Sequence, residues 1–136
     1  LFNIFSPKTN TDILAELVQD LHPGPVIIGI IGAPGSGKSV LANELVQRGN
    51  NATLVNGAEL DSILKHAESP QTYVIDHLFD LGLDTAKLMI SLAESNSGNL
   101  FVFMCQSRLD FTQEVLAELS AVKWVKFSKG KLLPNF

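Results

Sequence analysis

The sequence predicts a three-layer α/β domain, a mostly parallel five-stranded sheet with helices on both faces. Three observations carry that prediction. Continuous apolar runs, Val26–Ile31 and Leu100–Cys105 above all, read as strands buried on both sides. Segments with helical apolar spacing alternate with such runs along the chain. Strand–helix alternation of this kind implies right-handed crossovers and therefore parallel pairing.

Each element has its own justification. Asp12–Leu21 places Ile13, Leu14, Leu17, Val18 and Leu21 on one helical face, with Thr11 as the expected N-cap and His22-Pro23-Gly24-Pro25 as the stop. That face is expected to pack on the domain. Val26–Ile31 is the first strand. Ser39–Arg48 is helical through Val40, Leu41, Leu45 and Val46, and Gly49-Asn50 stops it. Ala52–Val55 reads as a strand, Glu59–His66 as a short helix, Thr72–Asp76 as a strand and Asp84–Glu94 as a helix. After the Leu100–Cys105 strand, Asp110 opens a helix with Phe111, Val115, Leu116 and Leu119 on one face. Val122–Phe127 is the last strand, and the tail through Pro134 is expected to be irregular.

Composition narrows the class. A chain of 136 residues, 46% hydrophobic and 18% charged, has the size and balance of one domain spanning 1–136, with an N-terminal helix near 11–21 and a core over 26–128. A net charge of −4 is too small, and the apolar content too high, for a solvated coil. No apolar run approaches the roughly 20 residues of a membrane helix, so no membrane segment is expected. The first residues lack the charged n-region of a secretory signal, although Leu1 in place of Met leaves room for a start residue or leader upstream. The single cysteine, Cys105, allows no internal disulfide and suits a reducing, cytoplasmic setting. It is expected to be inert core.

The most informative stretch is Gly32-Ala33-Pro34-Gly35-Ser36-Gly37-Lys38-Ser39, which fills the template G-x-x-x-x-G-K-[ST] between a buried strand and a helix. A loop that turns its N–H groups inward around a phosphate needs unusual dihedrals and close approach, hence glycines at 32, 35 and 37. The helix that follows offers free N–H groups and a favourable dipole to an anion. Lys38 supplies a mobile cation for the β- and γ-phosphates, and the Ser39 hydroxyl suits Mg²⁺.

On this motif the chain resembles the P-loop NTPase superfamily over Val26–Phe127. The resemblance implies ATP as ligand or substrate, Mg²⁺ as cofactor, and a metal-holding acid at the end of a later apolar strand. Tyr73-Val74-Ile75-Asp76 fits that last pattern, with a plain cap as the alternative for Asp76. A strand between the loop strand and the Asp76 strand resembles the additional-strand (RecA-like and AAA+-like) branch. That resemblance implies the strand order 5-1-4-3-2, a γ-phosphate sensor at Gln106 or Ser107, and work as a homo-oligomer or with a protein partner.

Departures from the branch accompany the matches. His77 stands where many members carry the activating glutamate after the metal-binding Asp. Glu59, beyond the second strand, resembles in position the base of RecA-like members, and serves equally as an acid in a first helical turn, with Asp61 as an outside candidate. The arginines are Arg48 and Arg108, both expected on the surface. His22 and His66 have no metal-ligand spacing. Lys123, Trp124, Lys126 and Phe127 read as an edge strand guarded by lysines, or else as a stacking surface for single-stranded nucleic acid. The expected catalytic set is Lys38, Glu59 and Asp76, with Ser39 and Asp76 toward the metal. ATP hydrolysis driving a motor, loader or regulatory step is the leading reading. A small-molecule kinase or a nucleotide-binding assembly module without catalysis are the alternatives.

Overall fold

The computed structural model describes residues 8–134 apart from positions 50, 69 and 97, so the Asn50 part of the expected helix stop lies outside the described residues. Helix α1 (Asn10–Leu21) starts before its apolar spacing does. Thr9, rather than Thr11, is the N-cap. Its hydroxyl accepts from the Asp12 N–H and the Asp12 carboxylate accepts from the Thr9 N–H, each at 3.1 Å. This reciprocal pair satisfies two donors that a helix start otherwise leaves free.

Strand β1 (Val26–Ile31) runs through the glycine-rich turn into α2 (Lys38–Arg48), and β2 (Ala52–Asn56) follows. The helix expected over Glu59–His66 is shorter by one residue at each end. The Asn56 side chain accepts from the Ala58 N–H at 3.0 Å and tightens Gly57–Glu59 into a 3-10 turn ahead of α3 (Leu60–Lys65). β3 (Thr72–Asp76), α4 (Leu83–Ser95) and β4 (Leu100–Cys105) lie within a residue of their expected bounds. Asp110 does not open a helix. Its carboxylate accepts from the N–H groups of Gln106 and Ser107 and closes a 3-10 turn over Arg108–Asp110. Phe111 is extended, and Thr112 caps α5 (Gln113–Glu118).

The tail is not irregular. β5 (Lys123–Ser128) turns back through Lys129-Gly130 into β6 (Lys131–Leu133), giving six strands in the order β2-β3-β4-β1-β5-β6. This corrects the five-stranded expectation 5-1-4-3-2, because an antiparallel strand is added outside β5. All other neighbours pair in parallel. The edge-strand expectation for Lys123–Phe127 holds only in part: β1 flanks the segment on one side, and β6 covers the other side from Lys126 onward.

Side chains alternate across the strands and form two cores. On one face Val26, Ile28 and Ile30 meet Leu17 of α1 and Leu41, Ala42 and Leu45 of α2. On the other, Ile27, Tyr73, Phe101 and Phe103 meet residues of α3, α4 and α5. Ile13, Leu14 and Val18 pack against the first cluster, as their helical face required. All the parallel strands end at one edge, the place where open α/β sheets gather ligands.

Candidate functional site

The turn from β1 into α2 is fixed at both ends. The Gly32 N–H donates to the Cys105 carbonyl at 3.0 Å, which ties its entry to the end of β4. The Ser36 N–H donates to the Ala33 carbonyl at 3.1 Å and closes a tight turn inside it. Gly35 and Gly37 have φ of 77° and 93°, left-handed values that a side chain would strain. Gly37 is the N-cap of α2 and offers no side-chain cap, so the first N–H groups of that helix have no intrahelical acceptor.

Lys38 folds back over the loop. Its ammonium donates to the carbonyls of Gly32 and Ala33 at 2.6 and 2.9 Å. These neutral acceptors hold the charge beside the concavity without neutralising it. Ser36 Oγ is buried without a hydrogen-bond partner, an orphaned hydroxyl inside the loop.

A pocket of about 450 Å³ opens beside this turn. The loop residues Pro34, Gly35, Gly37, Lys38 and Ser39 line it, together with Asp76 from the end of β3 and Gln106 after β4. The sheet thus brings together residues more than 70 positions apart in the chain. The Asp76 carboxyl group is only 15% exposed; one oxygen accepts from the His77 N–H at 2.9 Å and the other lies 3.5 Å from the His77 ring. His77 is held at φ 55°, and Leu78 behind it is anchored by an N–H bond to the Met104 carbonyl at 2.9 Å. Gln106 is exposed, and its backbone is clipped by Asp110.

Other expected site residues lie elsewhere. Glu59 is exposed in the turn after β2 and does not line the pocket. Asp61 is engaged by Lys65 and by the Thr85 hydroxyl, each at 2.8 Å, which holds its carboxyl below the usual range. Arg48 faces Glu44 on α2 at 3.9 Å. Arg108 lies over the Trp124 ring, 5.0 Å from its centroid. Cys105 lines the pocket floor, where burial pushes its thiol up to about 12, with Asp110 adding to the shift. A larger depression of about 600 Å³ lies between α1 and Lys123. Two of its four charged residues, Lys8 and Glu16, pair with each other at 2.6 Å, and Asp20 and Lys123 complete its charged lining.

Sequence reasoning missed Phe79. This ring is 55% exposed between the buried Leu78 and Leu81 and stands at the pocket's rim. The left-handed residues His77 and Asp80 on either side turn it outward, a conformation no sequence pattern announces.

Hard oxygen donors suited to Mg²⁺ are present in the Ser39 hydroxyl and the Asp76 carboxylate. Among the described residues no group of three or more His, Cys, Asp or Glu is placed to cage a metal. A cation here would therefore share its coordination with ligand oxygens and water. No protein-family model and no curated protein matches the sequence, so the reading of this site rests on its own geometry.

Proposed function

We propose that the Gly32–Ser39 turn is a phosphate-binding loop that holds ATP with Mg²⁺, and that the chain hydrolyses the γ-phosphate to drive a mechanical or regulatory step. The observation that carries this reading is the meeting of Lys38, Ser39 and Asp76 in one pocket at the start of α2. Left-handed Gly35 and Gly37 let the backbone turn its N–H groups inward, and the helix start adds its dipole. The Lys38 ammonium exchanges two carbonyls for phosphate oxygens, a stronger, charge-assisted pairing. Ser36 Oγ gains the partner it lacks. Mg²⁺, when bound by Ser39 and Asp76, neutralises phosphate charge. Gln106, in the same pocket lining, is the residue that would sense the terminal phosphate from the β4 side.

One observation favours a second reading, nucleotide binding with little turnover. Among the described residues Asp76 is the sole carboxylate in the pocket lining, and a metal-holding Asp is not free to orient water. Two measurements on the full chain decide between them. Saturating Mg-ATP raises the unfolding free energy, by about 2.7 kcal/mol at a hundred times Kd. Phosphate release in the same mixture marks hydrolysis, and its absence alongside stabilisation marks a binding module. No stabilisation by any nucleoside triphosphate removes both.

A further inference from the structure

The β5–β6 hairpin carries a surface that the phosphate loop does not use. Val125 and Phe127 are buried in the cluster beneath α1 and α2, so alternation turns Trp124 and Lys126 to the opposite face. Across the hairpin, Lys126 is paired with Leu133 and Ser128 with Lys131, and directly opposed residues share a face. Lys126, Lys131 and Leu133 therefore stand on the Trp124 face, all exposed, with Lys129 at the hairpin tip. Arg108 comes from the turn after β4 and lays its guanidinium over the Trp124 ring at 5.0 Å. Among the described residues, none of these four cations has a carboxylate within ion-pair distance.

In a chain of net charge −4, this is a row of unpaired positive charge that runs along the hairpin from an aromatic ring to the turn. We propose that this face binds single-stranded nucleic acid. Lys126, Lys129 and Lys131 meet the phosphates, and an unpaired base stacks on the Arg108–Trp124 pair. A guanidinium already resting on an aromatic ring presents its outer plane to a base, and Leu133 adds an apolar contact beside it. A duplex keeps its bases stacked on one another and makes only the phosphate contacts, so it binds this face more weakly. The proposal does not depend on the reading of the Gly32–Ser39 loop.

Trp124 is the only tryptophan of the chain, so its emission reports this surface alone. The full chain is titrated with a thymidine oligonucleotide of about 16 nucleotides, the upper end of known site sizes. Trp124 emission should change and saturate, and log affinity should fall with log salt at a slope of about −2 for three phosphate contacts. Lys126→Gln with Lys131→Gln should bring the slope to about −0.7 and weaken binding about tenfold or more. Arg108→Gln, which leaves the lysines in place, should weaken binding about fivefold or more through lost stacking. Lys38→Ala should bind the oligonucleotide like the parent, which separates this test from the fate of the loop. The proposal is overturned by no binding at about 50 mM salt, a regime where phosphate contacts are strong. It is equally overturned if, in the Lys38→Ala protein, duplex or inorganic polyphosphate binds as tightly as the oligonucleotide, or if folded lysine and Arg108 variants bind as the parent does.

Discussion

Gly57 is the point where the turn after β2 touches the segment that carries Asp76, and Gly57→Ala tests that contact. A Cβ there would lie 2.4 Å from the His77 carbonyl oxygen and 2.9 Å from Leu78 Cα. Both are backbone atoms, so no side chain can rotate out of the way. Ordinary contact requires the two segments to separate by about 1 Å. Leu78 resists, because its N–H is bonded to Met104 at 2.9 Å and its side chain is buried. Overpacking against a fixed neighbour costs about 3 kcal/mol at the upper end, and the stiffer unfolded chain of an alanine variant returns up to about 1 kcal/mol. The net loss is about 2 kcal/mol, or a fall in Tm of about 7 °C at this chain length. Because His77 follows Asp76 directly, the variant should also weaken Mg²⁺-dependent nucleotide binding. Gly82→Ser is the control: no atom lies within 4 Å of its Cβ position, its φ is −72°, and it caps α4 without a side-chain bond. Serine there should add about 0.3 kcal/mol through capping. The assay is denaturant unfolding followed by Trp124 emission. A Gly57→Ala protein within about 0.5 kcal/mol of the parent, the usual range of surface changes, would refute the contact.

Three further outcomes follow from the site. Asp76→Asn should reduce the gain in ATP affinity that Mg²⁺ gives, while affinity measured in chelator stays close to that of the parent; equal losses in both conditions would make Asp76 a structural cap. Glu59→Gln should leave nucleotide affinity and turnover within about twofold of the parent, since Glu59 is exposed and outside the pocket lining. A fall in turnover of about a hundredfold, the scale of a lost general base, would instead identify Glu59 as that base. Cys105 should resist iodoacetamide in the native protein at pH 8 and react once the chain is unfolded, because burial holds its thiol up to about 12. The same shift has a sign for stability. From the unfolded thiol value of about 8.5 upward, the unfolded chain releases a proton that the folded chain keeps. The contribution is therefore full below that pH and is lost as pH rises toward 12, which the difference between the parent and Cys105→Ala unfolding curves would show.

The sequence announces the strands of this fold because they are continuous apolar runs whose burial leaves no other assignment. Val26–Ile31, Thr72–Asp76 and Leu100–Cys105 have the bounds that their apolar runs suggest. What periodicity does not announce are features set by single polar side chains. The Asn56 bond to Ala58 and the Asp110 bonds to Gln106 and Ser107 each replace an expected helix start with a 3-10 turn. β6 is short and holds one buried residue, Leu132, so its three residues show no strand alternation of their own until the turn at Lys129-Gly130 folds them back. At the site, the loop glycines, Lys38 and Asp76 are legible because a local motif and a strand end mark them. Phe79 and the Arg108–Trp124 pair are not, since both depend on left-handed residues or on contacts between distant segments.

Triphosphate binding by the Gly32–Ser39 turn is proposed to depend on Lys38, and calorimetric titration of Mg-ATP into the parent and Lys38→Ala proteins measures that dependence. Lys38 is bonded only to loop carbonyls among the described residues, so its removal should leave the fold and the unfolding midpoint nearly unchanged. Losing a charge-assisted pairing with phosphate costs about 3 kcal/mol, which is a fall in affinity of about a hundredfold. Saturable binding to the parent that falls by that factor or more in a folded Lys38→Ala protein is the expected result. Equal affinity in the two proteins, or no binding to the parent at millimolar Mg-ATP, would contradict the claim.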